Sequence, residues 1–274
     1  MVEFLEEKME NTLQKKENIF KRLWNYFTTY EIAYFEIIVA AALILAILLP
    51  EEDANGVSGI WITILYLLDV IIAMLCELLT SKQSRWSFFI YNFVELIEIA
   101  TMIILRARFA SMAVAIFFWI PAHTAGFINW SKHKDEKDKN VTVVRSMNWW
   151  QNLLMWVGIA AWTVGIGYVM AAFSPETDFF SDDTTLKAVA YMDACLSAIS
   201  IADGITVFFR VKETWLVWYI YLAIETAVNI ITGQWILLVL KFGYLTNTTY
   251  GYTKWTKYIK DRRERGVMDQ STLF

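Results

Sequence analysis

Apolar residues run along this chain in long blocks separated by short charged stretches, and the blocks have the length that a bilayer demands. A hydrocarbon core about 30 Å thick takes roughly 20 apolar residues in helical form, and a helix satisfies its own backbone groups where water is absent. Eight segments meet the requirement, near 31 to 49, 60 to 80, 86 to 105, 109 to 130, 149 to 173, 185 to 209, 214 to 232 and 234 to 255. The stretch from Trp215 to Tyr252 is too long for one span, and Gly233 near its middle allows a tight reversal that divides it. Seven spans is the alternative count.

Placement of charge decides between the two, because Lys and Arg are retained in cytoplasmic loops. With eight spans and a cytoplasmic N-terminus, all of the 24 basic residues except Arg106, Arg108, Lys187 and Lys241 fall on the cytoplasmic side. The acidic Glu51, Glu52, Asp53, Glu176, Asp178, Asp182 and Asp183 fall opposite. Seven spans would put the basic tail from Lys254 to Arg265 outside. The expectation is a multi-pass protein of the cell (inner) membrane with both termini cytoplasmic, its first span retained because the first thirty residues lack a signal-peptide core.

Composition agrees, at 57% apolar with a mean hydropathy of +0.40, and leaves no soluble domain large enough to act alone. The uneven placement of basic residues argues against a nucleic-acid partner. Cys76 and Cys195 sit in apolar stretches without a CxxC or His/Cys cluster, so no metal is expected. No GxxxxGK[ST] loop is present, and Gly165-Ile166-Gly167 lacks the rest of a dinucleotide motif, so neither a cofactor nor ATP hydrolysis is implied. Asp193 and Asp203 lie about 15 Å apart along one helix, too far to act as a catalytic pair, and no enzyme is expected.

A weak internal repeat organises the spans. Arg85-Trp86-Ser87-Phe88-Phe89 and Thr214-Trp215-Leu216-Val217-Trp218 each open a span after a short basic loop, and Gly126-x-x-x-Trp130 and Gly251-x-x-x-Trp255 each close one at nearly the same separation. Chance is the plain alternative, since Trp gathers at membrane interfaces anyway. The architecture predicted is an all-α membrane protein of eight transmembrane helices, one N-terminal helix followed by a 3+1+3 parallel repeat of triple-helix bundles. Its segments are 1–58 (cytoplasmic start and extra helix), 59–131 (first bundle), 132–184 (basic loop, linking helix, acidic loop), 185–256 (second bundle) and 257–274 (cytoplasmic tail).

Ionisable groups inside spans are costly unless they face a bundle interior or a wet cavity. Asp193, Ser197, Ser200 and Asp203 make one helical stripe, and Asn92, Glu95 and Glu98 make another. Trp215, Trp218, Leu222, Glu225 and Asn229 form a third, which sets two indoles beside a carboxylate and an amide and suits a flat aromatic ligand. The plain reading of Ser, Asn and even the acids is hydrogen-bonding glue between helices. Lys241 suits an internal ion pair with Glu225 or Asp193, or a retinal Schiff base in a photoreceptor or pump. His123 precedes Gly126 as Thr248 precedes Gly251, which puts both on a cavity wall, and Pro121 kinks the fourth span.

These residues together resemble the Pnu vitamin transporters, whose type member takes up nicotinamide riboside. The resemblance rests on Met192-Asp193-Ala194-Cys195, Ser200, Glu213, Trp215-Leu216-Val217-Trp218, Gly233, Gly251 and Trp255, with Gly126-Phe127-Ile128-Asn129-Trp130 closing the first unit, and covers about residues 60 to 258. It implies a fold related to the sugar-transporting SWEET proteins, facilitated diffusion followed by cytoplasmic phosphorylation, and a homotrimer. The cationic pyridinium of nicotinamide riboside suits the acids near Trp215 and Trp218; thiamine or riboflavin is the alternative. Leu222, Asn229 and Lys241 depart from the Asn or Asp, aromatic and Tyr of the family. The substrate-binding set expected is Trp215, Trp218, Glu225, Asn229, Asn92, Glu95, Asp193 and His123.

Overall fold

The structure, a computed structural model, describes residues 26–105, 109–173, 183–231 and 233–266. The charges at Lys8 to Arg22, at Arg106 and Arg108, and at Glu176, Asp178 and Asp182 lie outside the described residues. Helices follow the apolar blocks closely: α1 Thr29–Leu48, α2 Gly59–Ser81, α3 Trp86–Leu105, α4 Phe109–Val114, α5 Ile120–Lys132, α6 Trp149–Phe173, α7 Asp183–Phe208, α8 Thr214–Ile231 and α9 Trp235–Glu264. Between α4 and α5 the expected kink is a π-helical turn, Ala115–Trp119, just before Pro121, where the proline ring would crowd a regular turn. Among the described residues there is no strand, and seven helices are long and apolar enough to cross a membrane. The α9 helix is not among them, because Lys241, Asn247 and a run of threonines interrupt its apolar half.

Contacts between helices run α2 to α3, α3 to α5, α5 to α7, α7 to α8, α8 to α9 and α9 back to α2, so six helices close into a ring. The α1 helix packs outside against α2 and α9, and α6 outside against α7. Large apolar side chains such as Ile47, Phe117 and Leu154 are exposed on the outer surface, where lipid rather than water is their solvent. Trp149 and Trp150 stack at the start of α6 with ring centroids 3.8 Å apart, both exposed, as interfacial indoles do.

The basic connections gather at one end of the ring, and local chemistry builds them alike. Gln83 and Arg210 both take left-handed φ, +58° and +60°, and in each hairpin the next N–H returns to a carbonyl five residues back, Ser84 to Leu79 and Val211 to Thr206. The loop between α5 and α6 then donates N–H groups to both turns, Thr142 to the Gln83 carbonyl at 3.1 Å and Arg145 to the Arg210 carbonyl at 2.9 Å. From α5, the Asn129 amide donates to Phe208 O at 3.1 Å and the Trp130 indole to Val207 O at 2.9 Å, which occupies carbonyls at the end of α7.

A second charge knot ties α1 to the ring. Thr28 and Glu31 form a capping box, and the fully buried Glu31 carboxylate also meets Lys82 at 2.9 Å, the Tyr250 hydroxyl at 2.9 Å and Lys254 at 3.6 Å. One turn on, the Tyr34 hydroxyl donates to the Gly243 carbonyl of α9. Near the end of α9, Asp135 accepts from the Tyr258 hydroxyl and from the Lys137 and Asp138 N–H groups, and Arg262 stands 3.8 Å away. Burial pushes the Asp135 carboxyl up, but these donors outweigh it and hold the group below the usual carboxylate range.

Replacing Glu31 by Gln leaves Lys82 and Lys254 facing each other without an acid, and is expected to lower the thermal midpoint of the purified protein by at least about 5 °C. For Asp135, a lowered carboxylate contributes its stability above the ordinary value of about 3.9 and loses it as pH falls through the native one. Asp135→Asn should therefore melt below the unchanged protein at pH 7, and the two midpoints should converge as pH drops under about 4.

Candidate functional site

The ring encloses a cavity of about 80 Å³. On α3, residues three or four apart present Phe88, Tyr91, Glu95 and Glu98 to it; α8 supplies Thr214, Trp215, Trp218 and Tyr221 at the same helical spacing. Across from them stand Trp119 of the π turn, His123 of α5, and Ser200 and Asp203 of α7, with Glu77 from α2 and Tyr244 from α9. Among the described residues four acids line this space, and no Lys or Arg does. A larger hollow of about 420 Å³ lies outside the ring between α6 and α7, but its walls, Leu154, Met155, Trp162 and Ile201 among them, are nearly all apolar and carry no acid. The small central space is the one with polar groups that converge.

The aromatic walls have distinct parts. His123, nearly inaccessible, stacks on Tyr91 with centroids 5.2 Å apart at 21° and leans on Trp119 at 5.0 Å. Trp218 is half-buried, edge-on to Tyr221 at 5.0 Å and to Tyr244 at 5.2 Å. Trp215 is 1% exposed and edge-on to Trp255 at 5.4 Å. A Cβ on Gly251 would overlap the Trp215 ring, and a Cβ on Gly126 would overlap the Phe88 ring, so each glycine admits an aromatic ring from the neighbouring helix.

The acids divide by their partners. Glu77 accepts from the Tyr91 hydroxyl and from the Asn247 amide at 3.1 Å, which holds α2, α3 and α9 together. Asp203 accepts from the Thr214 hydroxyl and lines the same cavity as Trp218. Glu95 faces the charges of Glu98 and Asp69. Within the cavity wall, Glu95 Oε2, His123 Nδ1 and Trp215 Nε1 have no hydrogen-bond partner, and buried polar atoms left in that state call for one from outside the chain.

Residues 63–257 of this chain match the family described as nicotinamide mononucleotide transporter. The chain belongs to this family. The matched stretch begins one turn into α2 and ends within α9, so it takes in part or all of each of the six ring helices and leaves out α1. A curated relative, the nicotinamide riboside transporter PnuC of Haemophilus influenzae, is 22% identical over 158 residues, 54% of this chain and 60% of the relative, so the match spans less than two thirds of that protein. The crystal structure of the vitamin B3 transporter PnuC superposes with a TM-score of 0.67 at 16% identity, covering 86% of this chain and 94% of that one, and shares the fold. Family and fold together make this a multi-pass membrane protein of a transporter family.

Of the residues expected from sequence to form one site in this family member, the ring brings four to the cavity: Trp215, Trp218, Glu95 and His123. The other four stand elsewhere. Glu225 pairs with Lys241 at 3.4 Å, because the α8 stripe turns toward α9 once it passes Leu222, and Lys241 is thereby held in an ion pair. Asn229, fully buried, lies beyond the cavity with neither side-chain polar atom partnered. Asn92 only reaches back to its own helix at Phe88 O, 3.5 Å away. Asp193 accepts from Ser111 of α4, and the next stripe residue, Ser197, accepts from Trp162 of α6 at 3.1 Å, so the α7 stripe serves as glue until Ser200 and Asp203 reach the cavity. Asp203, Tyr91 and Tyr244 were not assigned to the site by the sequence. Asp203 was legible as part of a stripe, but its neighbours across the cavity were not.

The glycines separate packing from composition. Gly251→Ala should lower the thermal midpoint by several degrees through overlap with Trp215, whereas Gly158→Ala, whose Cβ meets nothing within 4 Å, should leave it unchanged or raise it slightly.

Proposed function

We propose that this chain is a passive vitamin carrier whose substrate is nicotinamide riboside, held in the central cavity while two triple-helix units rock around it. The observation that carries this reading is the cavity itself: four carboxylates, stacked aromatic rings and, among the described residues, no Lys or Arg, enclosed in a chain of this family. A pyridinium ring is flat and positively charged, and such a ring is attracted both by aromatic faces and by acids withdrawn from water. Trp218, Tyr91 and His123 offer the ring surfaces, and Glu95 Oε2 and His123 Nδ1 offer unspent polar atoms for the ribose hydroxyls. At about 80 Å³ the space is smaller than the pockets of about 300 Å³ or more that hold small molecules, so binding requires the units to part.

The layout proposed is eight spans, α1 plus a 3+1+3 arrangement, with residues 59–131 and 185–256 as the two units and both termini cytoplasmic. Matched details support it. Gln83 and Arg210 make the same turn, Phe88 lies over Gly126 as Trp215 lies over Gly251, and Glu77 is bonded to Tyr91 as Asp203 is to Thr214 beside Trp218. These pairs replace Trp86 with Phe88 as the counterpart of Trp215, since Trp86 is 52% exposed. The basic connections on one end support its assignment to the cytoplasm.

Purified protein in vesicles is expected to take up labelled nicotinamide riboside without an imposed ion gradient, and Trp218→Ala to reduce the initial rate at least about tenfold. Uptake at the unchanged rate in that variant, or uptake of thiamine or riboflavin in place of nicotinamide riboside, would remove the assignment.

A further inference from the structure

We infer that Asp203 determines the charge selectivity of the cavity, favouring a cationic aromatic ring over the same ring in its neutral, reduced form. The inference rests on the cavity's being the site of a pyridine nucleoside, and it follows from sorting the acids by what already occupies them. Glu225 is committed to Lys241 and stands outside the cavity lining. Glu77 is engaged by Tyr91 and Asn247, so its lone pairs serve the seam between α2, α3 and α9. Glu95 and Glu98 line the same space from α3, and no hydrogen bond between Glu95 and α8 is seen among the described residues. Asp203 is the lining acid held by Thr214 of α8, the residue before Trp215, and it lines the cavity together with Trp218.

Its surroundings give that position consequence. Asp203 is 5% exposed, and among the described residues no Lys or Arg lines the space it borders. A carboxylate accepts hydrogen bonds but gains no neutralising charge from a hydroxyl or an indole. A ligand cation is then the counter-charge that the wall lacks, and the attraction is strong where water is excluded. A 1,4-dihydropyridine ring has almost the same outline and can contact the same aromatic faces, yet brings no charge. Shape therefore treats the two forms alike, and Asp203 tells them apart.

The test is isothermal calorimetry on the full-length purified protein with nicotinamide riboside and its dihydro form. The unchanged protein is expected to bind the cation at least about tenfold more tightly, and Asp203→Asn to reduce that preference below about threefold with affinity for the neutral form kept within about twofold. Asp203→Glu should retain the preference. Thr214→Val, which removes the hydroxyl that holds the carboxylate toward α8, should lower the preference part of the way and serves as the deciding variant if Asp203→Asn does not fold. A tenfold preference surviving in Asp203→Asn or undiminished in Thr214→Val would overturn the role of Asp203, as would equal binding of both forms by the unchanged protein. Binding of neither form by the unchanged protein would instead overturn the vitamin-carrier reading on which the inference stands.

Discussion

The last carbonyls of α7 run out of helix to bond them, and the way they are satisfied, partly by the turn that follows and partly from α5, organises one whole end of the molecule. Asn129 and Trp130 reach across from α5 to take them, Arg210 bends back to Asn129 and His133, and Arg145 joins its backbone to the same turn. A buried carbonyl left unbonded costs on the order of 1–3 kcal/mol, so these bonds hold the seam between α5 and α7 closed at this end. The ring, and the space inside it, depend on that closure. The Gly-Phe-Ile-Asn-Trp stretch thus acts as a helix cap supplied from another helix.

Within the ring, polar groups are divided between holding and waiting. Glu31 and Glu225 bind helices together through lysines, Glu77 and Asp203 bond to a neighbouring helix while lining the central space, and Glu95 Oε2 and His123 Nδ1 meet only that space. Both kinds look the same in a hydropathy plot. What separates them is the neighbour: an acid that meets a lysine or an amide from the next helix becomes part of the frame, and one that meets a void stays available.

That distinction explains how far the amino-acid order could be read. The spans were legible because bilayer thickness acts on each segment alone: α3 and α6 begin and end where the apolar blocks do, and Gly233 makes its turn with φ of +71°. The α9 helix runs past 255 to Glu264 because charged residues are good helix formers outside the apolar zone. The site was half legible, because it is formed between segments. Periodicity put Glu225 on the side of Trp215 and Trp218, but about two helix turns further along that side is covered by α9, and the carboxylate bonded next to the indoles comes from α7. Nothing in the order of residues states which helix stands next to which.

The π turn between α4 and α5 shows a further kind of hidden information. A turn that spends one extra residue advances everything after it by about 100° around the axis. Trp119 and His123 owe their bearing to this phase, not only to their identity. Dropping a single apolar residue between Phe109 and Pro121 would leave the hydropathy of the segment almost untouched, yet rotate its inner wall toward the lipid. In this family member a length change too small to alter any span is large enough to repaint the cavity, so gaps there weigh as heavily as substitutions.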